Sequence, residues 1–164
     1  LRSECGFEGS VLLAVGNLVP EKGHELALQT LARLPGASLV ILGQGPEESR
    51  LRALAASLGI TGRVRWLPPV PQDRLARYYA AADLTILTSL REGMPNVLLE
   101  SLACGTPVVA TAVGGAPEAF AASCREILDS RPSVEAVRRF GERFGWAEPV
   151  AGQLELYRRV AGAA

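Results

Sequence analysis

The 164-residue sequence is poor in the features on which membrane-spanning, nucleic-acid-binding and disulfide-rich proteins depend. It contains one lysine and one histidine, and no apolar run approaches the length of a membrane span. Lys and Arg together number 17, as do Asp and Glu, so the formal net charge is zero. Surfaces built for nucleic acid or anionic lipid normally carry a basic excess, so we expect small molecules or proteins as partners instead.

Cysteine is also scarce. Cys5, Cys104 and Cys124 are odd in number and widely separated, with no CxxC pair and no Cys/His cluster. This pattern indicates neither a disulfide framework nor a zinc site, and it is typical of a reducing compartment. The start, LRSECGFEGSVLLAVG, has acidic residues before a short apolar run and does not read as a signal peptide. We therefore expect a cytoplasmic protein whose membrane contact, if any, is not made through this domain.

Short apolar runs alternate with longer amphipathic stretches along most of the chain. The runs read as buried parallel strands over residues 11–16, 38–43, 64–68, 84–89 and 107–111. The stretches between and after them space their apolar residues for one helical face, over residues 23–34, 46–59, 71–82, 95–105 and 116–123. Gly59 and Gly105 are placed to end two of these helices. The order predicts one α/β domain over residues 1–164, a doubly wound, mostly parallel, Rossmann-like sheet with helices on both faces.

The tail departs from this alternation. CREILD, residues 124–129, is interpreted as a short edge strand, and the rest as two helices broken near Gly145. The second is a terminal helix over residues 146–161, which docks either on this sheet or on something outside the chain.

Ligands of open parallel sheets bind beyond the carboxyl ends of the strands, so the loops there are the candidate sites. The first such loop, NLVPEKG, puts Lys22 near a helix start, where an ammonium and free amides can hold phosphate together. The alternative is an ordinary surface lysine in a solvated turn. His24 follows and is interpreted as a surface residue in preference to a general base.

The second loop, GQGP, joins a strand to a helix through Gly43 and Gly45. Glycines there allow positive φ and close approach by a ligand. The loop resembles the start of a GxGxxG dinucleotide fingerprint, but Glu48 stands where the third glycine belongs. A dinucleotide-dependent oxidoreductase is therefore disfavoured, and a tight turn without a ligand remains the alternative.

The loop after the fourth strand, REGMPNVLLE, holds the strongest signal. A helix beginning near Pro95 would leave its first amides unpaired and facing an anion. Glu92 and Glu100 flank that point, and paired carboxylates there need hydroxyl-rich partners such as a sugar or a ribose. In the alternative interpretation, the charge of Glu92 interacts favourably with the helix N-terminus, and Glu100 is solvated on the polar face of the helix. Glu100 lies among leucines on a mostly apolar helix, which favours a functional acid.

These stretches together resemble a known family. In order and spacing, VGNLVPEKG, LVILGQGPE, PPVPQDRLARYYAAAD, LTSLREGMPNVLLESLACGTPVVAT and VGGAPE are similar to the C-terminal domain of the group 1 glycosyltransferases. These are retaining, nucleotide-sugar-dependent enzymes of glycosyltransferase family 4 with the two-domain GT-B fold. The resemblance, over about Val11 to Phe120, implies transfer of a sugar from a UDP-, GDP- or ADP-sugar to an acceptor hydroxyl. It implies no metal and no other cofactor.

The resemblance also implies roles for individual residues. Glu92 would be the catalytic residue, lying beside the donor sugar and its diphosphate without acting as a nucleophile, and Glu100 would accept hydrogen bonds from the ribose. Lys22 would bind the diphosphate, and the backbone near Val70 would contact the base. The implied donor site comprises Asn17, Lys22, Gly43, Gly45, Val70, Gly93, Met94, Pro95, Asn96, Val97 and Glu100.

Three departures qualify the resemblance. Asn17 stands where the family has an arginine that partners the lysine. We therefore expect either weaker diphosphate binding or a charge supplied by another arginine, such as Arg91. The chain is abbreviated after Phe120, and an N-terminal acceptor domain is absent. We therefore expect the chain alone to be inactive, because catalysis in the GT-B fold takes place between two domains. The alternative function is a non-catalytic nucleotide-sugar-binding module.

Overall fold

The computed structural model of the chain describes residues 1–90, 96–111 and 117–144. Five strands form one sheet in the order β3-β2-β1-β4-β5, and every neighbouring pair is parallel. The strands are β1 (Ser10–Val15), β2 (Ala37–Leu42), β3 (Val64–Leu67), β4 (Leu84–Leu87) and β5 (Val108–Ala110). The predicted parallel α/β fold is confirmed.

The helices follow the strands in the predicted alternation. They are α1 (Arg2–Cys5), α2 (His24–Ala32), α3 (Glu48–Ser57), α4 (Gln72–Ala81), α5 (Asn96–Ala103), α6 (Pro117–Ser130) and α7 (Val134–Gly141), with 3-10 turns at Pro20–Lys22, Thr61–Arg63 and Glu142–Phe144. Gly59 (φ +69°) and Gly105 (φ +84°) follow α3 and α5 in the left-handed conformation, as their positions predicted. No helix in the described ranges is long and apolar enough to cross a bilayer.

The sheet is buried on both faces, which is why its central strands are apolar at successive positions. Leu12, Leu39 and Leu84 point to one face, where they pack with α2, α3 and α6. Leu13 and Val40 point to the other, where they pack with α1 and α4, and part of α5 lies against the same cluster. Helices on opposite faces of β1 and β4 therefore make the sheet doubly wound.

The predicted edge strand at residues 124–129 is wrong, because α6 continues through this segment to Ser130. Phe120, Ala121 and Cys124 are buried, and Ile127 and Leu128 pack against the same core, a spacing that suits one face of a helix. Periodicity over the longer window overrides the local strand preference of the segment. α1 was not predicted, and the proposed terminal helix at 146–161 lies outside the described residues.

Candidate active site

The candidate site lies at the carboxyl edge of the sheet, beside the boundary between β1 and β4. The chain leaving β1 enters α2 on one face, whereas the chain leaving β4 leads to α5 on the other. A crevice forms where neighbouring parallel strands send their connections in opposite directions, and ligands of such sheets bind there. The loop after β1 and the described start of the loop after β4 therefore lie at the appropriate place in the fold.

Two hydrogen bonds join the loop after β1 to the loop after β4. The Thr88 hydroxyl donates to the Lys22 carbonyl at 3.0 Å, and the Leu90 amide donates to the Glu21 carbonyl at 2.8 Å. Gly23 makes this contact possible, because it has a φ of +60° and a Cβ there would overlap the Thr88 carbonyl oxygen. Gly23 thus holds the two halves of the crevice together, and the sequence interpretation did not single it out.

Lys22 is half-buried at this junction, which contradicts the alternative of a fully solvated lysine. Its aliphatic stem runs past Gly16, where a Cβ would lie 3.6 Å from Lys22 Cδ. The exposed Asn17 lies on the same loop, and its carbonyl oxygen is 3.2 Å from Nε2 of His24. Lys22 is therefore held by contacts of its stem and backbone, as a phosphate-binding cation needs to be.

The interpretation of His24 as a surface residue is wrong. It is 4% exposed, and its Nδ1 is buried without a hydrogen-bond partner in the described structure. Because a carbonyl only accepts, the contact with Asn17 places the proton on Nε2. Burial lowers the pKa of His24, so the ring is neutral near pH 7. Its place is in the packing beneath the loop after β1.

Gly43 and Gly45 are required for a different reason from the one expected. Neither glycine has a positive φ. A Cβ at Gly43 would overlap the Gly16 carbonyl, and one at Gly45 would meet the Leu18 carbonyl. The two loops are further joined by hydrogen bonds from the Leu18 amide to the Gln44 carbonyl and from the Glu47 amide to the Leu18 carbonyl. Close approach by a neighbouring backbone is therefore sufficient to require both glycines.

Glu100 is half-buried on α5, and both of its carboxylate oxygens accept hydrogen bonds. Oε1 accepts from the Gln72 side-chain amide at 2.7 Å, and Oε2 accepts from the Tyr79 hydroxyl at 3.0 Å. Both donors come from α4, which packs beside α5. The alternative of a solvated glutamate is wrong, because this carboxylate is held in a defined orientation between two helices.

A chain of buried hydroxyl groups fixes the contact between α4, α5 and β4. Ser101 Oγ is 2.7 Å from Thr85 Oγ1 and 3.0 Å from the Thr106 carbonyl oxygen. Thr106 Oγ1 donates to the Tyr79 carbonyl at 2.6 Å. Thr85 and Ser101 have no exposed surface, so these bonds are shielded from water. The network adjoins Glu100 in the chain and braces the helix that carries it.

Sequence reasoning missed Tyr79 and Gln72. Leu75 and Tyr79 are four residues apart and both buried, which places Tyr79 on the inner face of α4. A buried tyrosine hydroxyl normally has a hydrogen-bond partner, and Glu100 was the acid without an assigned neighbour. The contact between Tyr79 and Glu100 could therefore have been predicted by pairing the hydroxyl that needs a partner with the carboxylate that had none assigned.

The remaining predicted residues divide between described and undescribed parts of the chain. Val70, which follows β3, and Val97, in the first turn of α5, both pack against the cluster that contains Tyr79. Asn96 is exposed as the first residue of α5. Glu92, Gly93, Met94 and Pro95 lie outside the described residues, as does Arg91.

The described part of the site offers complementary chemistry at two points. A carboxylate has about four lone-pair positions, and Glu100 uses one on each oxygen for the protein's own donors. It therefore retains one acceptor position per oxygen, which suits two adjacent hydroxyl groups. Lys22 supplies a positive charge on the loop after β1, which suits an anion.

Known proteins resemble the chain in both sequence and fold. Residues 7–139 match the family model described as glycosyl transferases group 1. The D-inositol 3-phosphate glycosyltransferase of Acidothermus cellulolyticus is 40% identical over 93% of this chain and 41% of its own length. The enzyme of the same name from Mycobacteroides abscessus is 43% identical over 98% of this chain and 35% of its own length. The chain thus spans well under half of these relatives.

A solved structure extends the comparison to the fold. The sucrose-phosphate synthase from Thermosynechococcus elongatus superposes with a TM-score of 0.82 and 25% identity, over 99% of this chain and 49% of that one. This match, together with the glycosyltransferase relatives, supports the predicted resemblance and not the dinucleotide-dependent oxidoreductase that the sequence already disfavours. Because the family model covers most of the chain, this protein belongs to the group 1 glycosyl transferases.

Proposed function

We propose that this chain is the nucleotide-sugar-binding domain of a retaining glycosyltransferase that transfers a sugar from a nucleoside diphosphate to an acceptor hydroxyl. The observation that carries the proposal is the orientation of Glu100 by Tyr79 and Gln72 at the carboxyl edge of the sheet. A carboxylate so held, with one acceptor position left on each oxygen, is suited to the adjacent 2′- and 3′-hydroxyls of a ribose. The family membership of the chain supports a sugar donor.

The positions of the loops suggest which residues bind the diphosphate, the base and the sugar of the nucleotide sugar. Lys22 is suited to the diphosphate, since an ammonium near free amides at a helix start neutralises phosphate charge. Val70, next to the α4 side of the site, is suited to the base. We assign Glu92 to the sugar, where its charge stabilises positive charge at the ring. Amides and Lys22 carry the charge of the leaving diphosphate in this proposal, so donor binding needs no metal.

The acceptor and the second half of the cleft lie outside this chain in the proposed enzyme. We therefore expect nucleotide binding, but no sugar transfer, from the 164-residue chain by itself. We place the protein in the bacterial cytoplasm, which is supported by bacterial relatives and by three cysteines that are all free thiols. Asn17, in place of the family arginine, is the observation that favours a non-catalytic binding module as the second candidate.

Calorimetric titration with UDP, GDP and ADP tests the donor site. We expect at least one of them to bind with a Kd in the micromolar to millimolar range, and to do so equally well in EDTA. The substitution Glu100→Ala removes hydrogen bonds to a charged acceptor, each worth about 1.5–3 kcal/mol, so we expect it to weaken binding by about tenfold or more. Glu126→Ala, at an exposed position of α6, is the matched control and leaves the affinity unchanged.

Three results would count against parts of this proposal. If wild-type protein binds none of the three diphosphates, the proposed donor site is wrong. Equal losses of diphosphate affinity in Glu92→Ala and Glu100→Ala would show that the two roles are wrongly divided, because only Glu100 is assigned to the ribose. Failure of the chain to transfer sugar when combined with an acceptor domain from a relative would favour the binding module.

A further inference from the structure

The proposed function gives Tyr79 no role, yet it is the buried one of the two side chains that donate hydrogen bonds to the Glu100 carboxylate. It is 1% exposed, and its hydroxyl lies 3.0 Å from Glu100 Oε2. We propose that Tyr79 is a positioning residue that orients the Glu100 carboxylate and so determines selection of a ribose over a deoxyribose. The inference rests on the proposed function, because it assigns the ribose to Glu100.

The direction of the hydrogen bond makes Tyr79 an effective positioning group. Burial, together with the charge of Glu100, raises the pKa of Tyr79, so the hydroxyl remains protonated and donates to the carboxylate. A hydroxyl has one proton, so it occupies one acceptor position of Oε2 and leaves the other open. With the orientation of the carboxylate fixed, each oxygen keeps one open acceptor position, and together these positions can accept from two neighbouring hydroxyls.

The surroundings of Tyr79 hold it in place, whereas those of Gln72 do not. The Tyr79 carbonyl accepts from the buried Thr106 hydroxyl at 2.6 Å, and Thr106 continues into the hydroxyl network with Ser101 and Thr85. Gln72 is exposed in the first turn of α4, so its bond to Glu100 Oε1 competes with water. The rigid donor is therefore Tyr79, and Gln72 is expected to contribute less to orientation.

The sequence supplies a matched control at the preceding position. Tyr78 lies on the same helix but packs against Phe7, with ring centroids 5.9 Å apart. None of the described hydrogen bonds of Glu100 comes from Tyr78. Tyr78→Phe and Tyr79→Phe therefore remove the same atom from adjacent residues, and only the second removes a contact to Glu100.

The experiment compares each variant's affinity for a nucleoside diphosphate with its affinity for the 2′,3′-dideoxy form. The nucleotide is whichever of UDP, GDP and ADP binds wild-type protein most tightly. We expect wild type and Tyr78→Phe to prefer the ribonucleotide by about tenfold or more, as two hydrogen bonds to a charged acceptor predict. Tyr79→Phe should reduce that preference to about threefold or less and leave affinity for the dideoxy form unchanged.

A second substitution separates orientation from general stability. In Glu100→Ala protein the preference should already be lost, and adding Tyr79→Phe should change it no further. This double variant leaves no unpaired carboxylate beside Phe and therefore keeps the test informative if Tyr79→Phe alone does not fold. A preference in the double variant that differs from that of Glu100→Ala would contradict the inference.

The outcomes distinguish this inference from the proposed function. If wild-type protein binds a diphosphate but Tyr79→Phe weakens the ribo and dideoxy forms equally, Tyr79 has only a structural role and the inference is wrong. An unchanged preference in Tyr79→Phe also overturns it. If wild-type protein binds none of the diphosphates, the proposed function fails and the inference fails with it.

Discussion

Replacing Gly23 by alanine should separate the two loops that form the crevice. Gly23 has a φ of +60°, a conformation that costs an L-residue about 1–2 kcal/mol. The new Cβ would also overlap the Thr88 carbonyl, so the loops must move apart. That movement breaks the bonds from Thr88 to Lys22 and from Leu90 to Glu21, which together contribute about 1–3 kcal/mol. The expected total loss of unfolding free energy is about 2–5 kcal/mol.

Gly59→Ala is the matched control, because Gly59 has a φ of +69° and nothing within 4 Å of its Cβ position. It should lose only the conformational part, about 1–2 kcal/mol. Urea unfolding followed by circular dichroism measures both variants. For a slope of about 2 kcal/mol per molar urea, a loss of about 3 kcal/mol moves the midpoint by about 1.5 M. Equal losses in the two variants would refute the contact between the loops as a source of stability.

Two further predictions concern buried titratable groups. Burial lowers the pKa of His24 below the 6.5 of the unfolded chain, so the unfolded state binds more protons as pH falls below about 6.5. Urea midpoints should therefore fall between pH 7 and pH 5.5, and the fall should be smaller in His24→Asn; an equal fall would contradict this cause. Burial raises the pKa of the Cys124 thiol to about 12. Ellman's reagent at pH 8 should therefore modify Cys104 before Cys124 in native protein, and equal rates would show that the core around α6 is open.

The sequence predicts most of this fold because its signals are local and regular. Short apolar runs identify all five strands, and parallel strands with helical connections have few permitted arrangements. The strand prediction at CREILD failed because six residues are too short a window to show the helical spacing that joins Phe120 and Cys124 to Ile127 and Leu128. Longer windows would have corrected it.

The candidate site is predicted less completely, because its geometry depends on contacts between distant residues. Glu100 stands out in the sequence as an acid among leucines, but its partners Gln72 and Tyr79 are 28 and 21 residues away. The burial of His24 is likewise set by the loop after β1 folding over it. Such contacts are formed by tertiary packing, which local patterns do not encode.

The loops after β1, β2 and β4 are joined to one another almost entirely through backbone atoms, and this has a consequence for how the site can change. The amides of Leu18, Glu47 and Leu90 make these connections whatever side chains the residues carry. Evolution and protein engineering can therefore exchange exposed side chains on this rim, Asn17 among them, without rebuilding its framework. In the proposed enzyme, donor preference is free to diversify there, provided that the glycines which allow the backbones to touch are retained.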